Sequence, residues 1–118
     1  MAAPNIVNVV TITAKTAVST VTTTMANVIT NLTNSNTVVK VNDIMLSNYT
    51  ASNMTSNVII NRSGTNYYIG ANVLIPAFST LVLIGKDSFV YLEENDYLQS
   101  NASANTSLHC VAAYEVIS

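Results

Sequence analysis

The sequence predicts an all-β protein, a compact antiparallel β-sandwich of jelly-roll or Ig-like type, and three observations lead there. β-branched residues alternate with a two-residue period along most of the 118-residue chain, which suits a pleated, half-buried surface. Turn-forming residues recur roughly every eight to twelve positions, the rhythm of sandwiches and barrels. The one stretch with helical spacing, Ala17, Val21, Met25 and Val28, also holds Thr20, Thr22, Thr23 and Thr24, whose side chains lose rotamer freedom in a helix. About eight to ten short strands in one domain are expected. A chain of this length buries most of the apolar surface its unfolded form exposes, so a single core suffices.

The first strand is expected over residues 6–14, with Val10, Ile12 and Ala14 on one face and Val9, Thr11 and Thr13 on the other. A turn at 13–15 leads into a second strand over 17–29, and a polar loop covers 31–36. Val39 and Val41 share one phase, while Ile44 and Leu46 share the opposite one. The slip requires an extra residue, a β-bulge near Asn42 and Asp43. After a loop at 53–56, Val58 and Ile60 alternate with Ile59 and Asn61. Arg62, Ser63, Gly64 and Thr65 form a tight hairpin, because glycine adopts positive φ without steric penalty; Tyr67, Tyr68 and Ile69 continue it.

Pro76 has no N–H for a ladder, so it ends the strand carrying Val73 and Ile75. Leu81 and Leu83, opposed by Val82 and Ile84, predict a strand buried on both sides and closed by Gly85, Lys86 and Asp87. Phe89 and Tyr91 alternate with Val90 and Leu92, and Glu93, Glu94, Asn95 and Asp96 make the next turn, with Asn95 left-handed. Tyr97 and Leu98 open a strand reaching Ala102. The last strand sets Leu108, Cys110, Ala112, Tyr114 and Val116 on one face and Val111, Ala113 and Ile117 on the other.

Charged residues make up 8% and hydrophobic ones 49%, with a mean hydropathy of +0.37. Disordered chains show the reverse balance. The net charge is −2, and the basic residues Lys15, Lys40, Arg62 and Lys86 are scattered, so no electropositive stripe tracks a phosphate backbone and no nucleic-acid partner is expected. No apolar run approaches the roughly 18 residues of a membrane helix. Residues 1–10 contain Pro4, Asn5 and Asn8 in place of a signal-peptide core, so a soluble protein made in a cytosol, with no membrane partner, is the expectation.

No catalytic, cofactor-binding or metal-ligating residues are expected. His109 and Cys110 are neighbours in a strand and point to opposite faces, so they do not meet as base and nucleophile. Cys110, the single cysteine, is expected in the core, without an internal disulfide. Glu93, Glu94 and Asp96 gather carboxylates but lack the spacing of a calcium loop, and a solvated hairpin turn is the simpler account. Asn-x-Ser/Thr triplets start at Asn31, Asn48, Asn53, Asn61, Asn101 and Asn105, as chance provides in a chain rich in all three residues. Tyr67, Tyr68 and Tyr97 suit a subunit interface better than a sugar platform.

Three segments carry a family likeness: Ile75-Pro76-Ala77-Phe78-Ser79-Thr80-Leu81-Val82-Leu83-Ile84, then Phe89-Val90-Tyr91-Leu92-Glu93-Glu94-Asn95-Asp96-Tyr97-Leu98, then the ending Ala112-Ala113-Tyr114-Glu115-Val116-Ile117-Ser118. Together they resemble small β-sandwich virion structural proteins of tailed bacteriophages, including those of cyanobacteria. Asn95 stands where those proteins carry glycine, an acceptable exchange at positive φ. The likeness implies a non-enzymatic decoration, neck or tail component located in the virion and assembled in the host cytoplasm. Its expected partners are the major capsid protein or other virion proteins and further copies of itself, with a trimer favoured. A receptor- or carbohydrate-binding sandwich is the alternative. Residues 1–8, apolar on both faces from Ile6 onward, are expected to serve as an interaction arm.

Overall fold

The structure, a computed structural model, describes residues 11–118, with Lys86 described by its backbone alone. The expected arm at 1–8 and the start of the first strand at 6–10 lie outside the described residues. Nine strands occupy the described chain: β1 (Ile12–Val21), β2 (Ala26–Thr30), β3 (Val38–Asn48), β4 (Met54–Arg62), β5 (Thr65–Ile75), β6 (Thr80–Ile84), β7 (Val90–Leu92), β8 (Tyr97–Ala102) and β9 (Leu108–Ile117). One 3-10 turn, Lys86–Ser88, separates β6 from β7.

The strands form two antiparallel sheets. The first runs β1-β9-β3, with β6 and β7 both paired to the far side of β3; the second runs β2-β8-β4-β5. This order is one long hairpin rolled up. Its tip is the turn between β4 and β5, and its two arms pair β4 with β5, β3 with β6 and β7, β2 with β8, and β1 with β9. Rolling brings β9 against β3 and β8 against β4. The topology is the jelly roll, the first of the two sandwich types expected from sequence.

Both sheets supply the core: Val41, Ile44, Leu46, Leu92, Leu108 and Cys110 from the first, and Ile29, Val58, Ile75 and Leu98 from the second. Each fully buried aliphatic side chain stabilises the fold by roughly 2 kcal/mol. Two buried asparagines pin the ends of strands. Asn48 donates to Ser52 O (2.8 Å) and Ile75 O (3.0 Å) and accepts from the Thr50 amide and hydroxyl. Asn31 donates to Thr37 O and Leu92 O, both at 3.0 Å, and accepts from Ser35 and Thr37. A neutral amide with all its bonds made sits in the interior without the desolvation penalty of a charge.

Several local expectations hold. In the β3–β9 ladder the register shifts between Val41 and Asp43, so Asn42 is the extra residue of a bulge. Ser63 and Gly64 have φ of 54° and 80°, and Asn95 has φ of 70°. Pro76 follows the last residue of β5.

Four expectations are corrected. The turn at 13–15 does not exist: β1 runs through it in unbroken register with β9, from Ile12↔Ile117 to Val21↔Leu108, since no residue there prefers positive φ. The strand at 17–29 divides, because the chain crosses from one sheet to the other at residues 22–25. There Thr22 Oγ1 bonds Thr24 O (2.9 Å) and the Thr23 amide bonds Asn105 Oδ1 (2.8 Å), so local bonds replace the ladder. The loop at 53–56 gives way to β4 from Met54, with buried Ser56 bonding Asn101 O at 2.7 Å. Finally, β6 is not buried on both sides: it is an edge strand, and Val82 is 57% exposed.

Candidate interaction surface

The residues that sequence reading singled out for chemistry separate in space. Cys110 points into the core, and burial pushes its thiol up to about 11. His109 points outward and stacks on Tyr49, with ring centroids 4.3 Å apart and planes at 27°. The opposite-face expectation is met, and the thiol has no base beside it.

The acidic turn is an internal clasp. Asp96, 2% exposed, receives Arg62 Nε at 2.9 Å (Oδ1) and 3.1 Å (Oδ2), receives Arg62 Nη2, and receives the Glu93 amide at 2.8 Å. Glu93 reaches the same guanidinium at 3.0 Å. Hydrogen bonding to Asp96 raises the Arg62 pKa above its ordinary value. Glu94 accepts the Asn36 amide at 2.7 Å. The carboxylates therefore hold β4 and the loop before β3 onto the 93–96 turn. Among the described residues no group of three or more His, Cys, Asp or Glu is placed to hold a metal ion. Sequence reading missed Arg62 as the partner because 34 residues separate it from Asp96.

The three tyrosines do not make one platform. Tyr67 and Tyr68, 58% and 59% exposed, are consecutive on β5 and take opposite sides of the strand. The Tyr97 hydroxyl donates to Asn95 Oδ1 at 3.0 Å.

The outward faces of the two sheets differ in kind. On the second sheet the outward positions are largely amides bonded to one another across strands: Gln99 to Asn27 (2.7 Å), Asn57 to Asn101 (3.0 Å) and Asn61 to Asn66 (2.7 Å). On the first sheet an apolar row crosses all four strand positions. Val18 stands opposite Val111, Val111 opposite Met45, and Met45 opposite Val82. Directly opposed side chains in a ladder are in contact range, so the four form one band, with Val18 74% and Val82 57% exposed. Toward β7, Lys40 Nζ lies 4.4 Å from the Phe89 ring, and Phe89 packs edge-on to Tyr91 with centroids 5.5 Å apart. Between band and aromatic pair, the Asn42 bulge opens a shallow depression lined by Lys15, Lys40, Asn42, Asp43, Tyr114 and Glu115. An open apolar band beside a mixed-charge depression can bury surface and set register against a protein partner.

The band was invisible in sequence, because its four residues come from four strands and only the register aligns them. No protein-family model matches this chain, and no curated protein matches it.

Proposed function

We propose that this protein is a structural component of a phage particle, a capsid decoration protein that packs the outward face of its β1-β9-β3-β6 sheet against neighbouring major capsid subunits. The observation that carries the reading is the Val18–Val111–Met45–Val82 band, whereas the outward face of the second sheet is largely paired amides with Tyr68 and Leu74 exposed on its edge strand β5. The jelly roll is also an architecture that viral capsid domains use, a fold-level analogy that raises the prior without assigning a role. The segments that resemble phage virion proteins cover β6, β7 and parts of β8 and β9, and contribute Val82 to the band.

The deciding experiment is a mass-spectrometric copy count on purified particles. Copies on the order of hundreds fit decoration, and about a dozen or fewer fit a neck or tail position, by the symmetry of such assemblies. Absence from particles overturns the reading. A second reading, a carbohydrate-binding sandwich, is favoured by the exposed Tyr68 ring on the outward side of β5. A glycan array tests it: sugar binding that Tyr68→Ala abolishes would replace the decoration reading.

A further inference from the structure

Among the described residues, strand β1 is the one sheet edge built to accept another strand. Four edges exist among the described residues, and three are blunted. The edge beside β3 is split between β6, of 5 residues, and β7, of 3 residues, by the 3-10 turn. The β2 edge is 5 residues long and breaks register between Asn27 and Ile29. The β5 edge is interrupted by Asn72 at φ 48° and by register shifts against β4. By contrast, β1 is 10 residues long, keeps one register throughout and contains neither glycine nor proline.

The hydrogen-bond parity of β1 specifies what its free edge offers. Thr11 and Ser118 exchange both backbone bonds, at 3.0 and 2.9 Å. In an antiparallel ladder such pairs alternate. Thr13, Lys15, Ala17, Ser19 and Val21 therefore aim N–H and C=O at β9, and Ile12, Ala14, Thr16, Val18 and Thr20 aim theirs away from the sheet. The side chains over the first half of the strand are exposed on both faces, so an incoming backbone meets no cover.

We infer that β1 pairs antiparallel with β1 of a second copy about a two-fold axis, joining the first sheets of two molecules into one continuous sheet. Three features make β1 compatible with a second copy of itself. A two-fold normal to the sheet places residues of equal parity opposite each other, which matches the free groups on Ala14, Thr16, Val18 and Thr20 of both copies. The strand carries a single charge, Lys15, and any axis away from Lys15 itself keeps the two ammonium groups from facing each other. The contact is also isologous, so it closes as a dimer and leaves only the blunted edges outside. The inference does not depend on the virion reading. It replaces the expected trimer with a dimer, and it lengthens the apolar band by bringing the Val18 side of both copies to the seam.

The test is sedimentation of the full chain across the micromolar range, with Val18→Pro as the main variant. The Val18 N–H points away from β9, so proline there removes no β1–β9 bond but blocks the incoming strand. The native chain should sediment as a dimer. Val18→Pro should keep its far-ultraviolet circular dichroism and raise the dimer dissociation constant about tenfold or more, because two symmetry-related bonds are lost. Val18→Lys, which keeps the N–H and adds charge at the seam, should shift the constant the same way. Hydrogen exchange supplies a second readout, with the Thr16 and Val18 amides protected only as concentration rises. A native chain that is monomeric or trimeric throughout, or a dimer that neither variant weakens, overturns the inference.

Discussion

Cys110 shows how burial alone determines the behaviour of one residue. Its thiol lies among Leu46, Leu108 and Ala112 in the core cluster, and loss of water disfavours the thiolate. The folded value is about 11 against an ordinary 9.0, and the consequence for stability has a definite sign. Below the ordinary value both folded and unfolded chains hold the proton. Between the two values the unfolded chain releases it and the folded chain keeps it, so stability falls as pH rises through that window. The full loss is on the order of 3 kcal/mol. Cys110→Ala should cost about 1 kcal/mol at neutral pH through lost packing. It should also show a shallower alkaline decline than the native chain, so that thermal melts of the two meet at about pH 10 and the variant is the more stable above it. Parallel alkaline declines would show that the thiol does not sense its burial.

At the scale of elements, turns were the most legible part of the chain. The β4–β5 hairpin has two consecutive residues at positive φ, Ser63 and Gly64, the geometry in which Asn-Gly is preferred. Ser63→Asn should therefore stabilise the protein by about 0.5 kcal/mol in denaturant titration. Gly64→Val should destabilise it by about 1 to 2 kcal/mol, because a β-branched residue is strained there. The asparagines follow a related rule that sequence reading passed over. The triplet at Asn48 is a local turn in which Asn48 Oδ1 takes the Thr50 amide at 2.9 Å, so the residue order serves backbone geometry at that position. The strand before these turns was harder to bound: at 22–25 the chain changes sheets, and alternation continues across the change.

For the whole molecule, the Arg62–Asp96 clasp joins parts of the roll that are distant in sequence. Asp96→Ala should lower stability by about 2 kcal/mol, the usual worth of hydrogen bonds to a charged group, with Arg62 left without its main partner. Chelation of divalent ions should leave the melting temperature unchanged, because Arg62 and the Asn36 amide already engage these carboxylates. A fall in melting temperature with chelator that calcium restores would instead make Glu93, Glu94 and Asp96 ligands.

The sequence by itself determined the all-β class, the bulge at Asn42, the hairpin at Ser63–Gly64, the left-handed Asn95 and the opposite facing of His109 and Cys110. Each depends on near neighbours: a period of two, one slipped phase, or the φ a single residue tolerates. The tertiary structure alone decided that the sandwich is a jelly roll, that β1 continues through residues 13–15, that β6 is an edge and that Val18, Val111, Met45 and Val82 align. Alternation tells which side of a strand faces the core but not which strand lies beside it. Val18 and Val111 become neighbours only because the long hairpin pairs β1 with β9 across almost the whole chain, and Val111 meets Met45 only because rolling lays β9 against β3.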